Sequence, residues 1–169
     1  HETVAHSERM KKFALQLGKK LRLSDSDMEE LTLLCSLHDI GKVAIPDHIL
    51  TKSEALTQDE WEIIKKHPEI GYRIAMATPE LMNIAKKILA HHERWDGNGY
   101  PEKLRQEEIP LVTRIITLVD AYDVMTNGRP YKKRLSIQEA INEVLRCSGT
   151  QFDPNLVELF LETLSDYNT

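Results

Sequence analysis

Apolar side chains recur along much of the chain at the three- and four-residue spacing of a buried helical face. In the first segment these positions are Met10, Phe13, Ala14, Leu17 and Leu21. No segment shows the strict alternation of apolar and polar residues that is typical of a half-buried β-strand. The pattern therefore predicts an all-α fold, a helical bundle of about seven to nine helices.

Polar pairs mark the starts of several predicted helices. The four pairs are Ser24 with Asp27, Thr57 with Glu60, Ser136 with Glu139, and Asp153 with Pro154. In each pair, the first side chain offers an oxygen that can accept a hydrogen bond from a backbone N–H of the first helical turn. We expect the helix that follows Ser24 to extend to about Leu37.

Prolines divide the middle of the chain. We expect Pro68 to interrupt the helix that follows Thr57, just after His67, because proline lacks a backbone N–H and disturbs a helix interior. Pro79 is expected to open a further helix that ends near His92, since proline is favoured in the first helical turn.

The length and composition fit one compact domain. The chain has 169 residues, of which 41% are hydrophobic and 29% are charged. A chain of this length can bury enough surface for a stable core, so we expect residues 1–169 to form a single domain. We also expect this domain to be the C-terminal output domain of a longer signalling protein.

Charge and cysteine content narrow the class of protein. The formal net charge is -5, which argues against a nucleic-acid polymer as the partner. No apolar run approaches the roughly 18 residues of a membrane span, so we expect no membrane insertion. The cysteines Cys35 and Cys147 are isolated, which indicates a reducing compartment, and we expect a cytoplasmic protein.

Histidines near carboxylates are the main candidate chemistry. His38 and Asp39 follow the apolar residues of the second predicted helix, where Gly41 would supply the stop. An imidazole beside a carboxylate can bind Mn, Fe or Zn, although the same residues would suit an ordinary helix terminus. Glu2 and His6 are four residues apart, hence on one helical face, and offer a similar pair.

A second group of histidines precedes the long loop expected near residues 94–110. His91 and His92 would end a helix and point about 100° apart, so each could reach toward a two-metal cluster. His67 ends another predicted helix. The loop contains Tyr100 in a glycine-rich turn, which could face a ligand or simply lie on the surface.

The apolar helix predicted over 111–125 carries a stripe of polar residues. Its members are Thr113, Thr117, Asp120, Asp123 and Asn127. For the two threonines we predict a solvated face. Two aspartates three residues apart repel each other, and a nearby cation would relieve that repulsion. The basic segment that follows, with Arg129 and Lys132, suits a phosphate ester, although a solvated loop would look the same.

Six segments, taken in order along the chain, resemble the HD-GYP branch of the HD superfamily of metal-dependent phosphohydrolases. They are residues 2–9, His38-Asp39-Ile40-Gly41-Lys42, residues 66–71, His91-His92-Glu93 through Gly99-Tyr100-Pro101, residues 119–125, and residues 149–154. The resemblance implies an all-α fold with a Gly-Tyr-Pro loop. It also implies hydrolysis of cyclic di-GMP to pGpG, and in some members on to GMP, by a metal-bridging hydroxide that attacks phosphorus.

The resemblance further implies a cluster of two or three divalent ions, most often Fe or Mn. The implied metal ligands are Glu2, His6, His38, Asp39, His67, His91, His92 and Asp120, with Asp39 as a bridge and Glu2 as the ligand of a third ion. Asp39, Lys42 and Asp123 are the implied catalytic residues, Asp123 orienting a water or accepting a proton. Lys42, Tyr100, Arg129 and Lys132 are the implied substrate-binding residues.

Several alternatives and partners stay open at this stage. The domain could bind cyclic di-GMP without useful turnover, although its matched ligand set is complete. It could hydrolyse a related cyclic dinucleotide such as cyclic GMP-AMP, or serve as an all-α docking module, which would leave the histidines and aspartates unexplained. A homodimer and a GGDEF-type partner at the Gly-Tyr-Pro loop also stay open, and an upstream sensor or receiver domain is expected.

Overall fold

A computed structural model of the chain describes residues 4–128 and 134–166. These residues form nine α-helices and no β-strand, which confirms the predicted all-α fold. The helices are α1 Val4–Lys20, α2 Asp25–Leu37, α3 Asp47–Leu50, α4 Gln58–Ile64, α5 His67–Met76, α6 Ala85–Leu89, α7 Leu111–Asn127, α8 Ile137–Arg146 and α9 Pro154–Ser165. Within the same residues, every helix is too short or too polar to cross a membrane.

Helix α7 lies at the centre of the bundle and packs against α1, α2, α6, α8 and α9. Its residues Ile115, Leu118 and Val119 are buried in one continuous apolar core. Phe160 of α9 is fully buried in this core, and its ring centroid lies 5.1 Å from that of Tyr122. Because these neighbours cover much of α7, its polar residues Thr113 and Asp123 are buried among them.

The predicted N-caps form as expected. The Ser24, Thr57 and Ser136 hydroxyls each accept a hydrogen bond from the backbone N–H three residues later, and Asp153 accepts one from the N–H of Asn155. The caps of α4 and α8 are complete capping boxes, since the glutamate at the third position also accepts a hydrogen bond from the cap residue's own N–H.

The two prolines act differently from the prediction. Helix α4 ends at Ile64, so the break precedes His67, and Pro68 occupies the second position of α5. The prediction of one long helix from Pro79 to about His92 is wrong. A 3₁₀ segment, Pro79–Ile84, leads into α6, and α6 ends at Leu89, which leaves His92 in a turn.

Gly41 does not end helix α2, as the sequence suggested, but allows close packing against α5. Helix α2 ends at Leu37, and Gly41 lies in a 3₁₀ segment, Ile40–Ala44. A Cβ on Gly41 would overlap the carbonyl oxygen of His67 and lie 2.6 Å from the backbone nitrogen of Gly71. Gly41 therefore lets this segment lie against α5 and brings the start of α5 toward the end of α2.

Candidate metal centre

Seven histidine and aspartate side chains from five elements meet at one end of the bundle. They are His6 of α1, His38 and Asp39 after α2, His67 of α5, His91 and His92 after α6, and Asp120 of α7. His38, His67 and His91 are each no more than 3% exposed. His48, the one other histidine among the described residues, is exposed on α3 and belongs to neither of the two groups described below.

One group consists of Asp39, His67, His91 and His92, whose ligand atoms all lie within 4.8 Å of one another. Asp39 Oδ1 is 2.9 Å from His67 Nε2 and 3.4 Å from His91 Nε2. His67 Nε2 is also 3.1 Å from the Nε2 atoms of both His91 and His92. Three imidazoles and a carboxylate thus direct their atoms to a common point.

The second group consists of His6, His38 and Asp120. Asp120 Oδ1 is 3.4 Å from His6 Nε2. Asp39 connects the groups, because its second oxygen, Oδ2, is 3.7 Å from His38 Nε2. The two oxygens of one carboxylate therefore face two sets of imidazoles, which is the arrangement required of a ligand that bridges two ions.

Three of the histidines are oriented by the same device. His38, His67 and His91 each follow or end a helical turn, and the Nδ1–H of each donates to a nearby helix carbonyl. The acceptors are Leu34 at 2.9 Å, Ile64 at 2.6 Å and Ile88 at 2.6 Å. Carbonyls at helix ends lack intrahelical partners. Each imidazole therefore supplies a hydrogen-bond donor to a carbonyl in the last turn of a helix. The hydrogen bond also fixes the tautomer and turns Nε2 toward the cluster.

The donor set fits divalent metal ions. Burial lowers the pKa of His91 and lowers that of His92 well below its usual range, so both rings are neutral, the form that binds metal. Nε2 of His67 and Nε2 of His91 both carry lone pairs when Nδ1 is the donor, and at 3.1 Å they repel unless a cation lies between them. Imidazole and carboxylate ligands suit Mn, Fe and Zn.

Asp39 stays ionised in this setting. Burial alone would raise the pKa of its carboxyl, but the surrounding imidazoles of His38, His67 and His91 and the ammonium of Lys42 together hold the pKa well below its usual range. The Lys42 ammonium donates directly to Asp39 Oδ2. Lys42, predicted to bind substrate, therefore lies at the edge of the cluster and also lines the adjacent cavity.

Asp123 lies behind His6. It is 1% exposed, and its Oδ2 accepts a hydrogen bond from His6 Nδ1 at 2.6 Å. Arg9 holds the same carboxylate through two hydrogen bonds, of 2.6 and 2.8 Å. Burial would raise the pKa of Asp123, but the hydrogen bonds from His6 and Arg9 outweigh it and lower the pKa. Arg9 has no predicted role in the sequence, because its partner lies 114 residues away.

Tyr100 lies over the cluster. Its ring stacks on that of His92, with centroids 5.0 Å apart and planes 18° from parallel. Burial raises the pKa of the Tyr100 phenol, so the phenol keeps its proton. The loop reaches this position because Gly99 packs against the main chain at His92 and Glu93, where a Cβ would lie about 2.5 Å from the Cα of Glu93.

Glu93 holds the loop that carries Tyr100. It is 2% exposed, and its carboxylate accepts hydrogen bonds from three consecutive backbone N–H groups, those of Glu102, Lys103 and Leu104, at 2.7 to 3.1 Å. In the sequence, Glu93 stands out only as part of the motif that begins at His91. A glutamate directly after two candidate ligands and before a glycine-rich turn was the available signal.

The two threonines of the α7 stripe do not form a solvated face. Thr113 is fully buried, and the Thr117 hydroxyl donates to the carbonyl of His91 at 3.0 Å. The prediction failed because the turn that carries His91 covers this side of α7. Thr117 therefore helps to hold the main chain of a candidate ligand.

Three predicted site residues, Glu2, Arg129 and Lys132, lie outside the described residues. The predicted metal ligands among the described residues all converge on the cluster. Beside the cluster is a cavity of about 1010 Å³, which His6, Lys42, His67, His92 and Tyr100 help to line. Its volume is at the upper end of the range for small-molecule sites.

The HD domain family model matches residues 2–156. The chain therefore belongs to the HD domain family, and the resemblance noted in the sequence is confirmed. The chain is 40% identical over 163 residues to a cyclic di-GMP phosphodiesterase of Thermotoga maritima, a match that covers 95% of this chain and 44% of that protein.

Two other relatives extend the comparison. A 3′3′-cGAMP-specific phosphodiesterase of Vibrio cholerae is 39% identical over 168 residues, which cover 98% of this chain and 32% of the relative. The solved structure of an HD-GYP-type protein from Bdellovibrio bacteriovorus superposes with a TM-score of 0.75 at 19% identity, over 95% of this chain and 51% of that one. The chain thus spans less than half the length of the two curated relatives.

Proposed function

We propose that the chain is a metal-dependent phosphodiesterase domain that hydrolyses cyclic di-GMP to pGpG, with hydrolysis of pGpG to GMP as an optional second step. The observation that carries the proposal is the carboxylate of Asp39, whose two oxygens face two groups of ligands beside a cavity of about 1010 Å³. The curated relative of Thermotoga maritima, named a cyclic di-GMP phosphodiesterase, supports this choice of substrate.

In this proposal, His67, His91 and His92 would hold one divalent ion, and His6, His38 and Asp120 would hold another, with Asp39 as a ligand to both. Glu2 would hold a third. Fe or Mn suits this mixture of imidazole and carboxylate donors. When bound, such ions act as Lewis acids and lower the pKa of a coordinated water toward ~7.

The protein's own residues bind and orient the phosphodiester. Lys42, beside Asp39 and open to the cavity, would neutralise a non-bridging oxygen. Arg129 and Lys132 would add positive charge for the same diester. Asp123 would orient a water or accept its proton, although its position behind His6 favours an orienting role through that imidazole. Tyr100 would cover one side of the bound substrate.

The wider setting is proposed on the same basis. A cytoplasmic location fits a bacterial second messenger as substrate. The proposal includes an upstream sensor or receiver domain, and it leaves room for a homodimer and for a GGDEF-type partner at the Gly-Tyr-Pro loop. Residues 1–169 would then act as a single catalytic domain.

Cyclic GMP-AMP is a second candidate substrate. The relative of Vibrio cholerae that is 39% identical over 98% of the chain is named for its specificity toward 3′3′-cGAMP. Both cyclic dinucleotides present the same phosphodiester to the cluster, so the distinction depends on contacts with the bases.

The deciding experiment combines metal analysis with product chromatography on anaerobically purified protein. The protein is supplied separately with cyclic di-GMP and 3′3′-cGAMP. We expect at least two equivalents of Fe or Mn and the formation of pGpG. Preferential cleavage of cyclic GMP-AMP would select the second candidate. Metal-loaded protein that binds cyclic di-GMP without cleaving it would favour the receptor alternative.

A further inference from the structure

Trp61 is a large apolar side chain left exposed inside the cavity. It lies on α4, is 45% exposed, and lines the same cavity as His67 and His92. It is one helical turn before Ile64, whose carbonyl accepts the hydrogen bond from His67 Nδ1. Small-molecule sites are typically lined by hydrophobic and aromatic side chains with a few polar groups, which is the combination that Trp61 and the cluster give this cavity.

The wall of the cavity around Trp61 is held in place by charge and capping. Lys52 donates to both carboxylate oxygens of Glu60, at 2.8 and 2.6 Å. Glu60 also accepts a hydrogen bond from the backbone N–H of Thr57 at 2.7 Å and completes the capping box of α4. The hydrogen bonds to Lys52 and Thr57 hold the start of α4, and thus the backbone that carries Trp61, against the preceding loop without a ligand.

The other tryptophan of the chain has a structural partner. The guanidinium of Arg114 lies 5.6 Å from the centroid of the Trp95 ring, and the Trp95 backbone N–H donates to the carbonyl of Gln151. Trp95 is half-buried, and the lining of the cavity does not include it. The two tryptophans therefore provide a matched pair, one facing the cavity and one packed away from it.

We infer that Trp61 is a stacking platform for one purine base of the substrate, while the phosphodiester lies at the cluster. This inference rests on the proposed hydrolysis of a cyclic dinucleotide. Every nucleobase presents an aromatic face, so stacking is tolerant of base identity. Trp61 thus contributes affinity for guanine and adenine alike, and hydrogen bonds to the base edges supply any discrimination between them.

The kinetic test compares metal-loaded wild-type protein with the variants W61A and W61F. A stacked base contributes roughly 1–3 kcal/mol, so W61A should raise KM about 5- to 150-fold for cyclic di-GMP. Its metal content and kcat should stay within about twofold of wild type. W61F should restore most of the affinity, because a phenyl ring still stacks. The control is M82A, which removes another exposed apolar side chain, 50% exposed and away from the cavity.

A second set of measurements tests tolerance of base identity. KM is measured for 3′3′-cGAMP as well as for cyclic di-GMP, wherever the wild type cleaves the dinucleotide. Stacking predicts a similar rise in KM for both. A rise for one substrate alone would overturn the stacking role in favour of edge recognition. Unchanged KM in W61A, with wild-type turnover, would overturn the inference and leave the proposed function standing. If wild-type protein hydrolyses neither dinucleotide, the proposed function and this inference fail together.

Fluorescence gives an independent readout that a purely structural role would not produce. The chain has two tryptophans, so W95F reports on Trp61 alone and W61F reports on Trp95 alone. Addition of a slowly hydrolysed phosphorothioate analogue of cyclic di-GMP should quench the emission of W95F and leave that of W61F unchanged. Quenching confined to W61F would contradict the assignment.

Discussion

Asp123 holds His6 by a 2.6 Å hydrogen bond from the imidazole Nδ1, and Arg9 holds Asp123 from the other side. The carboxylate thereby fixes the ring whose Nε2 faces Asp120. When a carboxylate that accepts a hydrogen bond from a metal-binding histidine is replaced, metal affinity or activity typically falls 10- to 100-fold.

We therefore expect D123N to weaken metal binding about 10- to 100-fold. Metal titration with a competing chelator measures this change. The control is D25N, which alters an exposed aspartate in the first turn of α2. A D123N protein with wild-type metal affinity and a greatly reduced kcat would instead assign Asp123 a direct role in proton transfer.

Asp39 is the residue on which both metal groups depend. We expect D39A to abolish hydrolysis of cyclic di-GMP and to lower the bound metal, because its two oxygens face His67 on one side and His38 on the other. Metal analysis and product chromatography on the same preparation check both effects. D25A is the matched control. Full turnover by D39A would show that the bridging assignment is wrong.

The number of ions can be tested at Glu2. If Glu2 holds a third ion, E2A should lose about one equivalent of metal while the remaining equivalents stay bound. The ratio of metal to protein, measured after removal of excess metal, decides between two and three ions. An unchanged ratio would favour a two-ion site and would remove Glu2 from the ligand set.

Glu93 should contribute to stability as well as to the position of Tyr100. E93Q replaces one acceptor oxygen with an N–H₂ group that faces backbone donors, and an unsatisfied buried donor costs about 1–3 kcal/mol. For a chain of this size we expect Tm to fall by roughly 2–12 °C. Calorimetry checks the value, and E107Q, at an exposed position in the same loop, should change Tm little. Equal Tm values for the two variants would contradict the role of Glu93.

The ion pair of Arg94 and Asp96 predicts a pH dependence of stability. The Arg94 guanidinium, at 2.9 Å, lowers the pKa of Asp96 to about 2, below the unfolded value of about 3.9. The pair therefore stabilises the fold fully above about pH 4, and this contribution is lost as the pH falls toward 2. Partial exposure screens the pair, so we expect D96N to cost about 1 kcal/mol at pH 7.

Urea denaturation of wild type and D96N between pH 7 and pH 3 measures this difference. The free energies of unfolding should converge as the pH drops below 4. A gap that stays constant over this range would show that the carboxylate of Asp96 is not the titrating group.

Local signals in the sequence account for much of the fold. Polar caps such as Ser24 and Thr57 act through hydrogen bonds within three residues, so their helices begin where predicted. The structure of the region between Pro79 and His92 could not be predicted from such local signals. Its 3₁₀ segment and the early end of α6 depend on contacts with α5 and α7, which helical spacing does not encode.

The candidate ligands were accessible from the sequence because their motifs resemble those of a family. The residues that support them were not. Arg9 reaches Asp123 across 114 positions, and Thr117 reaches the carbonyl of His91 across 26. Both are ordinary polar residues on amphipathic helices, and only the packing of α1 and α6 around α7 gives them their partners.

The hydrogen bonds from His38, His67 and His91 to helix carbonyls have a consequence for metal exchange. The ring directions are set by the main chain, so the entropy of ordering these ligands is lost during folding and not when an ion binds. One divalent ion can then replace another without a rearrangement of the helices. The scaffold thus provides the same three nitrogen directions to any ion of suitable size, so metal availability, together with ligand type and geometry, would influence which ion is loaded.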